Sequence, residues 1–165
     1  MDTFRTDLGA RAINQPAGIF QAFDFPLYQP EWAGDKAKKV RQAISMAINR
    51  KQITKTIFQG TRTPATDFSS PVVQGYSKDI GGGVFTYNPT KAKALLAEAG
   101  GFTGKIQIAS HADAPHKAWV DATCNSIQTP LALDCTRTPS PATTAIRAPN
   151  TKGNDTTAVR TGWHD

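Results

Sequence analysis

Two segments with helical periodicity and clear end signals constrain most strongly what this chain can fold into. The first opens near Asp35, a fair N-cap, and carries four apolar residues on one helical face: Val40, Ile44, Ala47 and Ile48. Asn49 and Gln52 then have the spacing of a capping box, which predicts a second short helix. That helix stops at Gly60, and its inward-facing residues are Ile53, Ile57 and Phe58.

The second segment, Tyr87–Gly100, has the most complete helix signals in the sequence. Asn88 is the predicted N-cap, Pro89 occupies the first helical position, and Gly100 terminates the helix. Its predicted buried stripe consists of Ala92, Leu95, Leu96 and Ala99.

A strand, a helix and a second strand follow within about 30 residues. Residues 105–109 alternate polar and apolar as a strand, and residues 115–128 form a helix that Pro130 closes. The next strand is predicted where Leu131, Leu133 and Cys135 alternate. This βαβ order implies a parallel sheet with a right-handed crossover. The predicted core residues are Val40, Ile44, Ile48, Leu95, Leu96, Ile106, Ile108, Val120 and Ile127.

The chain divides into three predicted parts. Residues 1–34 are rich in Pro, Gly and aromatics and are predicted to form an extended crossover with a short strand around Phe23. The aromatic side chains of this segment need a partner surface that this chain does not obviously supply. Residues 35–135 form an α/β unit that includes a long irregular connection, 61–86, where proline and glycine forbid regular structure. Its glycine triplet has no strand before it and no Gly-Lys-Ser after it, so a phosphate loop is rejected. Residues 136–165 are a divergent Thr/Pro-rich tail with a candidate last strand at 158–163.

Composition and charge exclude several classes of function. The net charge is +6, yet the basic residues are scattered, so no nucleic-acid binding is predicted. The densest group is expected on the solvent side of the helices: Lys36, Lys38, Lys39, Arg41, Arg50 and Lys51. No apolar run reaches the roughly 18 residues that a membrane span requires. Residues 1–5 lack a signal-peptide pattern, so an export signal would have been removed or would lie upstream.

No catalytic constellation stands out, and neither an enzyme nor a cofactor is predicted. There is no nucleophile elbow, Ser110 and His111 are chain neighbours rather than a triad, and no carboxylate pair suits acid–base chemistry. His111, Asp113 and His116 could hold zinc or nickel if all three converged. Loop ligands without a fourth partner rarely form a specific site, so we interpret Asp113 as a helix cap with exposed histidines, and predict no metal site.

The ordered set of motifs resembles the substrate-binding proteins of peptide-type ABC importers, the oligopeptide, dipeptide and nickel class. The matching motifs are Val40–Arg50, with Asn49 where aspartate is usual, then Tyr87–Gly100, then Gly162–Trp163. The resemblance implies an α/β fold, namely a partial type II periplasmic-binding-protein lobe with a βαβ unit and preceding helices. It implies a fragment that covers the crossover and the start of the C-terminal lobe, without the N-terminal lobe.

The function that this resemblance implies is peptide binding for ABC-type import, outside the cytoplasm. In that family two lobes close over an extended peptide or similar small ligand, which an ATP-driven membrane permease receives. Membrane association would require a lipid anchor that this sequence does not contain. One partial lobe is expected to bind peptide weakly or not at all, because it leaves most of the ligand in water. The alternative is a standalone α/β interaction module without a transport role.

The resemblance also implies candidate site residues. Family members often carry an acidic residue three positions after the tryptophan of Gly-Trp, where it pairs with the ligand's amino group, but Asp165 lies only two positions after Trp163 and does not match. Trp163 itself matches, and either lines the ligand cleft or anchors the last strand in the core. If the protein is exported, as the resemblance implies, Cys124 and Cys135 are expected to form a disulfide. Two buried thiols are the alternative.

Overall fold

The computed structural model describes residues 2–78, 80–111, 114–140 and 158–164. In this part of the chain the helices and strands are, in order, α1 (Asp2–Leu8), β1 (Phe20–Asp24), α2 (Gly34–Ala47), α3 (Arg50–Thr56), α4 (Pro89–Glu98), β2 (Ile106–His111), α5 (Ala114–Leu131), β3 (Cys135–Ser140) and β4 (Ala158–His164). A short 3₁₀ turn at Gly9–Arg11 follows α1, and a second one at Pro30–Trp32 precedes α2. Within the described residues, no helix combines the length and the hydropathy of a membrane span.

The four strands form one sheet in the order β1-β4-β2-β3. Strand β2 pairs in parallel with β3 and with β4, which confirms the predicted parallel βαβ unit of β2, α5 and β3. Because β2, β3 and β4 are parallel, their last residues, His111, Ser140 and His164, lie at one edge of the sheet, here called the carboxyl edge. Strand β1 is antiparallel to β4 and begins at this edge, where Phe20 pairs with His164.

The core lies between this sheet and the helices. Helix α5 packs against β2 and β3, and α2 and α4 pack against α5. Seven of the nine predicted core residues are buried, and the other two, Leu95 and Leu96, are partly buried against the same cluster. The fully buried Trp32 and the buried Trp119 were not on that predicted list.

Two helix starts follow the sequence signals, whereas α3 ends at Thr56, four residues before the predicted stop at Gly60. The side chain of Asn49 accepts a hydrogen bond from the backbone N–H of Gln52 at 3.0 Å, and Asn88 Oδ1 accepts from Lys91 N–H at 2.9 Å. These contacts confirm both predicted caps. At α2 the prediction was wrong, because Ala33 occupies the N-cap position without a side-chain bond and Asp35 lies inside the first turn.

The boundary between α5 and β3 differs from the prediction. Pro130 lies inside the last turn of α5 instead of closing the helix, which runs on to Leu131. Proline removes only one helical hydrogen bond here. The N–H of Ala132 still donates to Gln128 O at 2.9 Å. The positive φ of Ala132, 54°, then ends the helix. The next strand therefore starts at Cys135, not at Leu131, and runs beyond residue 135 into the predicted tail.

The first 34 residues are more structured than an extended crossover. Helix α1 was not predicted, whereas the short strand around Phe23 is confirmed as β1. The aromatic side chains here find partners within the chain: Phe23 lies 5.1 Å from Trp119, and Trp32 lies 5.0 Å from both Phe25 and Phe102, between ring centroids. This chain therefore supplies the partner surface for Phe23, Phe25 and Trp32, contrary to the expectation, whereas Tyr28 stays exposed.

Arg50 is partly buried against the long connection rather than on the solvent side of its helix. Its guanidinium donates to the carbonyl oxygens of Ser45 at 2.9 Å and Phe85 at 3.1 Å, and to Ser45 Oγ at 2.9 Å. Ser45 Oγ in turn donates to Val84 O at 2.7 Å. Burial lowers the pKa of Arg50 to about 10, so the side chain stays charged at neutral pH. These contacts, here called the Arg50 clamp, hold residues 84–85 of the long connection against α2 and α3.

Replacing Arg50 by Met is expected to lower the free energy of unfolding by about 1–3 kcal/mol, because partly buried carbonyl oxygens lose their donors. The control is Lys51→Met, on the exposed side of α3, whose effect should stay within about 0.5 kcal/mol. Urea unfolding of both variants measures the difference. Equal stability of the two variants would show that the clamp does not contribute to folding.

Candidate functional site

The carboxyl edge of the sheet is the candidate binding site, because open α/β sheets bind ligands in the crevice outside the carboxyl ends of their strands. The register of β1 and β4 pairs Gln21 with Trp163 at this edge. The structure describes the backbone of Trp163 but not its side chain. Its two predicted roles, lining the cleft and anchoring the last strand, both stay predictions. Asp165 lies outside the described residues.

Arg62 is a candidate site residue that the sequence analysis missed. Its guanidinium donates to Gln21 Oε1 at 2.9 Å and lies 4.2 Å from the centre of the Phe58 ring. Partial burial lowers the pKa of Arg62 from its ordinary value, because desolvation disfavours the charged form. Arg62 belongs to the irregular connection, which has no periodic pattern, so only the folded chain brings it to Gln21, 41 residues away.

The backbone around Arg62 is held from several sides. Asn14 Nδ2 donates to Thr61 O at 3.2 Å, and Thr61 Oγ1 donates to Phe58 O at 2.6 Å. The hydroxyl of Ser70 donates to Ala17 O further along the connection. Residues 13–19 therefore lie along the connection and fix its position beside the sheet.

Asp67 organises the rest of the connection. This buried carboxylate accepts hydrogen bonds from the backbone N–H groups of Ser77 at 2.9 Å and Phe68 at 2.6 Å, and from Ser69 Oγ at 3.0 Å. The Ser77 hydrogen bond is the main cause that lowers the pKa of Asp67, with Phe68 and Ser69 adding to it against desolvation. Thr66 and Tyr76 close the same loop with a hydroxyl–hydroxyl bond of 2.9 Å.

Of His111, Asp113 and His116, the structure describes only the side chain of His116. Asp113 lies outside the described residues, and the side chain of His111 is not described. His116 is half-buried, with its ring 6.1 Å from that of Trp119, so the expectation that it is exposed was wrong. Among the residues that are described, no group of three His, Cys, Asp or Glu side chains is placed to hold a metal ion.

The two cysteines meet where α5 packs on β3. The Cα atoms of Cys124 and Cys135 lie 5.1 Å apart, within the range that a disulfide spans, and both residues are buried. Gln128 Nε2 donates to Cys135 O at 3.1 Å and ties the same two elements together. We propose that the two sulfurs are bonded, which would fix the end of the helix to the start of the strand.

Comparison with known proteins identifies the family. The model of the bacterial extracellular solute-binding proteins, family 5, middle region, matches residues 2–163, and the chain belongs to this family. The dipeptide-binding protein of Escherichia coli K12 is 45% identical over 62 residues, which are 38% of this chain and 11% of that protein.

Solved structures show the same fold. The murein tripeptide-binding protein MppA of Escherichia coli superposes with a TM-score of 0.78 at 20% identity, covering 99% of this chain and 32% of that one. The oligopeptide-binding protein AppA of Bacillus subtilis, in complex with a nonapeptide, gives 0.76 at 19% identity, covering 99% and 35%. This chain therefore spans about a third of each solved relative. The predicted family and the partial type II periplasmic-binding-protein lobe are confirmed.

The stability that Asp67 contributes is expected to depend on pH. Its pKa is lowered in the folded state, so the contribution is present above the unfolded pKa of about 4 and is lost as pH falls through the folded value. The stability gap between the wild type and Asp67→Asn should thus be widest near neutral pH and shrink below about pH 4. Thermal unfolding across this range measures it, with Asp7→Asn on exposed α1 as control. A gap that does not change with pH would contradict the assignment.

Removal of the proposed disulfide, by Cys124→Ser with Cys135→Ser, is expected to lower the free energy of unfolding by about 2–3 kcal/mol. The bond closes a short loop and so restricts the unfolded chain. The measurement is urea unfolding with and without a thiol reductant, and the reductant should abolish the difference between the variant and the wild type. Labelling of both thiols in denatured, unreduced protein would exclude the bond.

Proposed function

We propose that this segment serves peptide binding for ABC-type import, as one part of a longer substrate-binding receptor. The observation that carries the proposal is the family match over residues 2–163, together with a sheet whose carboxyl edge is formed from three parallel strands. The relatives' names point to peptides as the ligand class: a dipeptide-binding protein, a murein tripeptide-binding protein, and an oligopeptide-binding protein holding a nonapeptide.

The carboxyl edge supports this proposal because it combines a rigid backbone with both polar and aromatic residues. Gln21 lies on β1 and Trp163 on the neighbouring β4, so both are placed by the sheet itself. We place Trp163 at the ligand as the aromatic wall of the cleft. Rigid strands suit this task, since a site built on them keeps its geometry without an entropic cost at each binding event.

The remaining parts of the proposal concern location and partners. The family consists of extracellular solute-binding proteins, and we place this protein likewise outside the cytoplasm. The receptor would deliver its ligand to a membrane permease and would be held at the membrane by a lipid anchor outside this segment. The proposed role requires binding and release, with no chemical step on the ligand.

The segment alone is expected to bind short peptides more weakly than about 1 mM, because one partial lobe buries little of the ligand. A receptor that includes this segment and the sequence encoded on either side of it should bind the same peptides at least about a hundredfold more tightly. Isothermal titration of both proteins with a set of di- to nonapeptides measures this. Low-micromolar binding by the segment alone, or none by the longer receptor, would contradict the proposal.

One observation favours a second candidate, an interaction module. The large apolar residues that are exposed in the described chain all fall in residues 13–28 and 68–87: Ile13, Ile19, Leu27, Tyr28, Phe68, Val72, Val73, Ile80 and Tyr87. Where exposed apolar residues form one patch, they commonly mark a contact with another protein. Self-association in sedimentation, lost together with dye binding after Val72→Asp, would support this candidate over the transport role.

A further inference from the structure

We infer that the exposed side of helices α2, α3 and α4 is a docking surface for the anionic headgroups of a phospholipid membrane. Such a contact is separate from peptide binding. It adds to the proposed lipid anchor an electrostatic attachment made by the folded chain itself.

The positive charge of the protein is concentrated on three helices. Helices α2, α3 and α4 carry nine basic and two acidic residues, whereas all other residues of the chain together carry ten basic and eleven acidic residues. The three helices therefore account for the whole excess of positive charge, although the basic residues look scattered in the sequence.

The three helices form one continuous layer. The backbone N–H of Asn88 donates to Met46 O at 2.9 Å, which joins the start of α4 to the end of α2. Lys39 Nζ lies 3.0 Å from Glu98 Oε2 and joins the last residue of α4 to the first half of α2. Helices α2 and α4 are therefore antiparallel neighbours, and α3 follows α2 after two residues.

Helical spacing places lysines of both α2 and α4 on the side marked by the Lys39–Glu98 ion pair. Lys36 precedes Lys39 by three residues and Lys91 precedes Glu98 by seven, and both spacings bring side chains to the same helical face. Six lysines of these helices, here called the layer lysines, are exposed and form no ion pair with an acidic side chain of the described residues: Lys36, Lys38, Lys51, Lys55, Lys91 and Lys93.

The charge that this surface offers to a partner comes from lysine, because its arginines are engaged. Arg41 Nη1 donates to Trp32 O, and Arg50 belongs to its clamp. The lysine ammonium is a compact point charge on a flexible stem, whereas arginine presents a planar fork that matches two fixed oxygens. Mobile point charges suit an array of lipid phosphates, whose positions change, better than a fixed set of protein acceptors.

The surface also lacks the residue types that dominate contacts with other macromolecules. Protein interfaces are enriched in aromatic residues and arginine and depleted of lysine, and nucleic-acid sites add arginine for base edges or aromatic rings for stacking. Helices α2, α3 and α4 contain no aromatic residue, and none of the large apolar side chains exposed in the described chain lies on them. A contact without apolar side chains stays at the level of the headgroups, where charge alone is sufficient.

The expected strength follows from the number of lysines that reach the membrane together. A lysine close to an anionic membrane surface strengthens binding about fivefold, and the effect fades beyond a Debye length of about 10 Å at about 0.1 M salt. Four such lysines therefore contribute at least about a hundredfold, and this contribution decreases as the salt concentration rises.

Sedimentation of the intact chain with lipid vesicles tests this surface. The vesicles consist of phosphatidylcholine alone or with about one-third phosphatidylglycerol, in salt from about 0.05 M to about 0.5 M. The layer variant loses four charges but keeps good helix formers: Lys36→Gln, Lys38→Gln, Lys91→Gln and Lys93→Gln. The matched control loses four exposed charges outside the three helices: Arg5→Gln, Arg11→Gln, Lys78→Gln and Lys105→Gln.

The wild type should bind the anionic vesicles in low salt, release them in high salt, and leave neutral vesicles unbound. The layer variant should bind at least about a hundredfold more weakly, and the control should stay within about threefold of the wild type. Circular dichroism establishes that both variants fold. If the layer variant does not fold, the double variant Lys51→Gln with Lys55→Gln replaces it, with an expected loss of at least about tenfold.

Three results would overturn the proposal. The first is no binding to anionic vesicles at the lowest salt concentration. The second is an equal loss in the layer variant and the control, because net charge and not this surface would then account for binding. The third is tighter binding to a DNA duplex or to polyglutamate than to the vesicles, which would assign the surface to another polyanion. The peptide affinity of the longer receptor is measured separately, so the transport role and the membrane contact can fail independently.

Discussion

Burial of Trp32 is the interaction on which the arrangement of the molecule most depends. The side chain has no exposed surface and lies between Phe25 and Phe102, while its carbonyl accepts from Arg41 of α2. Truncation of a buried tryptophan generally costs about 3–5 kcal/mol. This contact joins the end of β1 to the start of α2, so it determines where the first strand can meet the sheet. The pairing of β1 with β4, and hence the position of Gln21, follows from it.

The long connection shows how a chain without regular structure keeps a defined shape. Its backbone cannot satisfy itself through a helix or sheet, so side chains supply the missing partners. Asp67 accepts hydrogen bonds from the backbone N–H groups of residues 68 and 77, and the Arg50 clamp holds residues 84–85. The T-shaped contact of Phe68 with Phe85, 5.1 Å between ring centroids, links the two regions. A loop ordered in this way holds Arg62 beside Gln21 of β1.

Local signals in the sequence were reliable because their causes are local. A cap needs only a side chain and an N–H three residues ahead, so Asn49 and Asn88 could be identified from spacing. The apolar stripe of Val40, Ile44 and Ile48 follows from the 3.6-residue period. The prediction that α5 ends before Pro130 was wrong, because proline only disfavours a helix and does not exclude it. Packing of α5 on the sheet favours a helix that continues through Pro130 to Leu131.

The sequence by itself determined the family, the βαβ order and the two asparagine caps, because these depend on residues close together in the chain or on an ordered set of motifs. Only the tertiary structure decided that Arg50 is partly buried against backbone carbonyls and that Trp32 packs against Phe102. It also brought Arg62 of the irregular connection to Gln21 of an edge strand. Each of these contacts depends on how separate elements pack. The periodicity of the sequence does not indicate these contacts, because a single charged or aromatic residue can face either water or another part of the fold.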